Sequence, residues 1–147
     1  MSKPTILILS IVYLISILIV GIFGMQIMSF NNVNYIESIS LSEKDVSFSD
    51  INCSVDFFVD DNETNAYTIV YFYKKGLTIQ INPTIKGKDP TIDPTNKNLT
   101  VSSDTTNDSI TYSNGVFTIN SPDTVIFTFY SQDHSNKKMK VTIYCAG

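Results

Sequence analysis

Hydrophobic residues recur along this chain in two different rhythms. From Thr5 to Phe23 the run TILILSIVYLISILIVGIF carries no charge, and the charge-free region extends from Pro4 past Phe30 to Glu37. As a helix rising about 1.5 Å per residue, Ile6 to Phe23 covers roughly 27 Å, close to the thickness of a bilayer's hydrocarbon core. The pattern predicts a transmembrane anchor within residues 1–30 and a short linker around Ser29 to Asn34. A secretory leader has an apolar stretch of about 7 to 15 residues and a small-residue cleavage site. The run here is longer, no A-x-A follows it, and no cysteine closes it for lipid attachment. Lys3 and the amino terminus lie on one side of the run, and the nearest charge on the other is Glu37. The positive-inside rule then predicts a single pass with the N-terminus in the cytoplasm and residues 31–147 outside the cell.

Beyond the linker the period changes to two. In LTIQIN, Leu77, Ile79 and Ile81 alternate with Thr78, Gln80 and Asn82, the signature of a half-buried strand. TVIFTFY sends Val125, Phe127 and Phe129 to one face. KMKVTIYC does the same with Met139, Val141, Ile143 and Cys145 against Lys138, Lys140, Thr142 and Tyr144. CSVDFFVD and AYTIVYFYKK are longer and more aromatic, which predicts that at least one is covered on both faces. Clusters of Pro, Gly, Asn and Asp separate the runs at short intervals, and no amphipathic helical stretch follows the anchor. The expected architecture is all-β, a sandwich of short strands. In YSNGVFTIN, Asn114-Gly115 is the dipeptide that accepts positive φ at both central positions of a tight turn, so SITYS and VFTIN are predicted to form a hairpin across it.

The order of these pieces resembles the bacterial immunoglobulin-like domain family, group 2. The resemblance rests on a strand ending at Pro83, then PTNKN, VSSD, SNGVF, SPDTVIFTF and the lysine-flanked last strand KKMKVTIY. It covers most of residues 33 to 144. It implies an immunoglobulin-like β-sandwich over residues 31–147, displayed on a bacterial or phage surface, commonly as a spacer or adhesive module. Two departures stand out. The family usually has Trp before its SSD, where this chain has Val101 and no Trp anywhere. INCSVDFFVDDNETNAYTIVYFYKKG has no evident counterpart, and predicts an extra hairpin joined near DDNET or an altered sheet edge.

Composition narrows the chemistry. The net charge is -4, and the lysines fall in short groups without any Arg, which disfavours nucleic acid as a partner. The lysines beside the last strand are expected to protect a sheet edge. His134 is the only histidine and sits in the polar turn SQDHSNKK, so neither a Ser-His-Asp triad nor a histidine-based metal site can be assembled. Carboxylates gather at Asp60, Asp61 and Glu63 and again at Asp89 and Asp93, without the spacing of an EF-hand loop. The glycines are scattered, so there is no phosphate-binding loop. Four N-x-S/T sequons begin at Asn52, Asn62, Asn98 and Asn107, as chance provides in a chain so rich in Asn, Ser and Thr. No catalytic residue, cofactor or metal ligand is assigned.

Two residue sets remain. Cys53 and Cys145 either form a disulfide closing a long loop, as an oxidising exterior favours, or serve as two buried thiols. Tyr71, Phe72, Tyr73 and Tyr130 are candidate contact aromatics, because Tyr is enriched at interfaces, with packing in the core or on a sheet face as the other reading. The expected role is non-catalytic: an anchored surface module for adhesion, binding or envelope structure, meeting the lipid bilayer through its helix and a protein or glycan partner through its domain. The alternative is an accessory subunit of a larger membrane assembly. An enzyme has the least support.

Overall fold

The charge-free run is helical. Helix α1 spans Lys3–Asn31, and its segment Lys3–Met25, 23 residues long with none buried, is long and apolar enough to cross a membrane. At about 1.5 Å per residue that segment covers about 34 Å. Its two serine hydroxyls are satisfied inside the helix: Ser10 Oγ donates to the Ile6 carbonyl and Ser16 Oγ to that of Val12, each at 2.9 Å. An apolar surround then meets no unpaired hydroxyl from either serine. The computed structural model describes residues 3–31, 33–50, 53, 56–60 and 65–147, and the chain divides into two units, Met1–Val33 and Asn34–Gly147.

The second unit is built from strands: β1 Ile36–Ser40, β2 Val46–Phe48, β3 Asp56–Val59, β4 Ala66–Phe72, β5 Thr78–Ile81, β6 Thr84–Gly87, β7 Leu99–Ser103, β8 Ile110–Ser113, β9 Val116–Ile119, β10 Val125–Ser131 and β11 Lys138–Ala146, with one 3-10 turn at Glu43–Asp45. They form a five-stranded sheet in the order β3-β4-β11-β10-β7, a four-stranded sheet β2-β5-β9-β8 and a two-stranded ribbon β1-β6. All pairings are antiparallel except β4 with β11. Ring contacts join the two larger sheets. Phe117 of β9 lies 4.6 Å from Phe127 and 6.4 Å from Phe129 of β10, centroid to centroid. Tyr112 of β8 meets Phe129 edge-on at 5.9 Å.

The period-2 pattern explains which residues meet there. Leu77, Ile79 and Ile81, Val125, Phe127 and Phe129, and Met139, Val141 and Ile143 are all buried in one core, as their alternation requires. Tyr67, Ile69 and Tyr71 enter it from β4. In β1, Ile36 and Ile39 are both buried although three apart; the register slips between Ile36 and Ser38, and this irregularity returns Ile39 to the inner side. The predicted hairpin joins β8 to β9 with Asn114 at φ 49° and Gly115 at φ 83°. The stretch INCSVDFFVDDNETNAYTIVYFYKKG holds β3 paired antiparallel with β4; the central part of DDNET, residues 61–64, lies outside the described residues.

Two expectations are corrected. The last strand is not an edge: β11 lies between β4 and β10, so Lys138 and Lys140 project from the face of a central strand. Nor is β3 or β4 covered on both faces. Thr68 and Val70 are half-buried and Phe72 is exposed along β4, because neighbouring strands shield them only from the sides.

Polar closures hold the start of the unit. Asn34, 6% exposed, donates its side-chain amide to the carbonyls of Asp89, Ile92 and Asp93 at 3.1, 3.0 and 3.3 Å. Its Oδ1 accepts from the Asp89 N–H at 2.9 Å. The loop after β6 is thus wrapped around one carboxamide. Gly87 makes room for it: a Cβ there would clash with the Asn34 carboxamide. Asp133, equally buried, accepts from the Ile36 N–H on one oxygen and from the Ser135 N–H on the other, tying β1 to the β10–β11 turn.

Gly87→Ala is expected to lower stability by about 1–3 kcal/mol through overpacking. In a double-mutant cycle with Asn34→Ala its cost should shrink, because the clash is with that side chain. Urea unfolding of the four proteins measures this, and strict additivity would remove the contact from the account.

Acid stability has a defined sign. Burial pushes the Asp133 carboxyl up, but hydrogen bonds from Ser135, the Ile36 backbone and the Ser135 backbone together bring it below its ordinary 3.8. A carboxyl depressed in the folded state contributes stability above its unfolded value and loses it as pH falls through the folded one. Unfolding midpoints should therefore be steady above about pH 5 and fall below pH 4. Asp133→Asn should unfold more easily at neutral pH and show a shallower loss between pH 5 and 2; a loss as steep as that of the unaltered protein would exclude Asp133 as a source.

Candidate interaction surface

The open face of the five-stranded sheet can be read row by row from strand register. One row runs Phe58, Thr68, Thr142, Ile126; the next holds Asp56, Val70 and Tyr144; beyond it Phe72 stands beside Ala146. In the opposite direction come Ala66, Lys140, Thr128 and Ser102, then Lys138, Tyr130 and Thr100. Phe58, Phe72, Tyr130, Tyr144 and Ile126 are all exposed. The face is thus apolar and aromatic at the end where β4 and β11 finish, and it carries two lysines with one tyrosine at the other. Exposed aromatics on a sheet face supply rigid contact area at low entropic cost.

The four aromatics singled out in the sequence do not form one cluster. Tyr71 is fully buried and belongs to the core. Its hydroxyl donates to the Asp123 carbonyl at 3.0 Å, and burial first, with Cys145 as a neighbour, pushes its pKa up to about 12. Phe72 lies on the open face. Tyr73 is exposed, but its hydroxyl reaches the Asn120 carbonyl at 3.2 Å after β9. Tyr130 stands at the lysine end, opposite Lys138. Sequence reasoning passed over Phe58, Ile126 and Tyr144 as contact residues. Their outward phase was legible for Tyr144, which shares a face with Lys138, Lys140 and Thr142.

Both cysteines are half-buried free thiols against the core. Cys53 Sγ donates to the Phe72 carbonyl at 3.5 Å, while Cys145 sits opposite Tyr71 in the parallel ladder with its Sγ turned toward the Ala146 carbonyl at 3.8 Å. Each thiol therefore has a backbone acceptor of its own.

His134 is exposed at φ 66° in the β10–β11 turn. Asp89 caps its own turn, accepting from the Thr91 hydroxyl and N–H, which hold its carboxyl below the usual range. Asp93 pairs with Lys97 at 2.6 Å. Asp61 and Glu63 lie outside the described residues. Among the described residues no three His, Cys, Asp or Glu side chains come together to hold a metal ion.

Comparison with protein-family models, with curated proteins and with solved structures found no match to this chain. The fold and its surfaces therefore stand on their own geometry.

The thiol geometry makes a direct prediction. Protein purified without reductant and then denatured should take up two maleimide labels per chain, with no gain after prior reduction. Labelling that appears only after reduction would mean that Cys53 and Cys145 bridge.

Proposed function

We propose that this chain is a single-pass membrane protein, cytoplasmic at its N-terminus, that presents one immunoglobulin-like β-sandwich outside the cell as a non-catalytic module for adhesion, binding or envelope structure. The observation that carries the proposal is the succession of a 23-residue apolar span and a β unit with a core of its own. A unit that buries its own apolar residues needs nothing from the span in order to fold, so the span is available as an anchor. Charge supports the orientation: Lys3 stands at the first residue of the span and no lysine follows the span before Lys44. The motif order from Pro83 to the lysine-flanked last strand supports membership of the bacterial immunoglobulin-like family, group 2. Two facing sheets with one shared core are what that membership requires. The contact surface in this reading is the open face bearing Phe58, Phe72, Tyr130 and Tyr144, to which a partner adds by side-chain packing or at a strand edge.

Orientation is tested by the lysines, since Lys75, Lys86, Lys88 and Lys97 are exposed on the β unit. A membrane-impermeant amine reagent applied to intact cells should modify these four and leave Lys3 untouched, as read by peptide mass mapping. Modification of the four only after lysis would place the β unit inside and overturn the surface role.

A further inference from the structure

Edges β7 and β8 of the two large sheets border a cleft of about 380 Å³. Its floor is Val101, Tyr112 and Phe127, and Thr106, Asp108 and Thr111 are among the polar residues at its rim. The floor ring is fixed from behind: Tyr112 is half-buried with its centroid 4.8 Å from Phe117 and 5.9 Å from Phe129. The rim is fixed as well. Ser103 Oγ donates to the Thr105 carbonyl at 2.6 Å, and Asn107 Nδ2 and Ser109 Oγ both donate to Asp123 Oδ2, at 2.9 and 2.6 Å. Those two bonds, Ser109's first, hold the Asp123 carboxyl below its ordinary value. Asn120 Nδ2 closes the loop by donating to the Asp108 carbonyl at 2.7 Å. Thr106 and Asp108 both remain exposed at the mouth.

From this geometry we infer that the cleft between β7 and β8 binds a neutral carbohydrate. A sugar presents hydroxyls that both donate and accept, alongside a C–H face that packs on an aromatic ring. The rim supplies hydroxyls and one carboxylate acceptor, and the floor supplies a held tyrosine and apolar side chains. No lysine or histidine lines the cleft among the described residues, and the one charged side chain there is the carboxylate of Asp108, so an anionic ligand meets repulsion with no compensating cation. A rim whose loop is already held by side-chain hydrogen bonds loses less freedom on binding than an untied one. Pockets that combine an apolar floor with a few fixed polar groups are the usual form of small-ligand sites. The inference rests on the proposed surface-binding role and names the ligand class for it.

The test uses the full chain in detergent micelles on an array of neutral glycans ending in glucose, galactose, mannose or N-acetylglucosamine, with sialylated and sulfated glycans beside them. The strongest binder is then titrated against the protein and its variants Thr106→Val and Asp108→Ala. Both substitutions are at exposed positions, and circular dichroism checks that the fold persists. Binding of a neutral glycan is expected, weakened about tenfold or more by each variant as its hydrogen bond to a sugar hydroxyl is lost. Absence of binding to every neutral glycan at about 10 mM, preference for the anionic ones, or affinity indifferent to both variants would each overturn the assignment. Lysine labelling of intact cells stands apart from these outcomes: a β unit modified from outside that binds no neutral glycan loses this ligand and keeps its surface role.

Discussion

Phe117 has no solvent exposure, and its contacts with Phe127 and Phe129 make the two large sheets one body. A short sheet open to solvent buries only one face, and four or five strands of three to nine residues cannot remove enough apolar surface by pairing alone. The missing burial comes from the opposite sheet. Rings from β8, β9 and β10 meet at centroid distances of 4.6 to 6.4 Å, edge-on or tilted, as aromatic quadrupoles prefer. Isoleucine, leucine, valine and Met139 fill the space around them. Everything outward of that layer can then be polar or open without cost to the core, and this is why both the aromatic face and the β7–β8 cleft can exist.

The ends of such a stack are its weak places, because chain enters and leaves there with unpaired backbone groups. Here single side chains answer for several groups at once. Asn34 satisfies carbonyls from Asp89, Ile92 and Asp93, Asp133 receives the N–H groups of Ile36 and Ser135, and Asp123 gathers Asn107, Ser109 and Thr124. Among the described residues no buried side-chain nitrogen or oxygen lacks a partner. These polar groups sit where loops cross between layers, so they determine loop shape more than they add to the core.

Local rules carried most of the fold. The period-2 positions of β5, β10 and β11 named their own core residues, and Asn114-Gly115 named its turn, because both signals are confined to a few neighbouring residues. What escaped was set by distant partners. Nothing within KKMKVTIYC says that residues from β4, more than seventy positions earlier, will lie beside it in parallel, so the strand read as an edge when it is central. Tyr71 and Phe72 are adjacent and chemically alike, yet one is core and the other surface; the alternation gives opposite faces, and only the opposing sheet decides which face is inside. Asn34 and Gly87 are likewise invisible as a pair until the β1–β6 ribbon brings them together.

The parallel pairing of β4 with β11 has a consequence for function. A parallel pair cannot be closed by a tight turn, so the chain between these strands, residues 73–137, builds β5 to β10 before returning. Both large surfaces are products of that detour. The open face combines residues of the β3–β4 hairpin with those of β10 and β11, and the β7–β8 cleft lies wholly within the intervening segment. A change in the hairpin therefore alters the aromatic face while leaving the cleft intact. Along β4 itself Tyr67, Ile69 and Tyr71 enter the shared core while Phe72 stands on the open face, so core and contact face are opposite sides of one strand and each exposed aromatic can be changed without emptying the layer behind it.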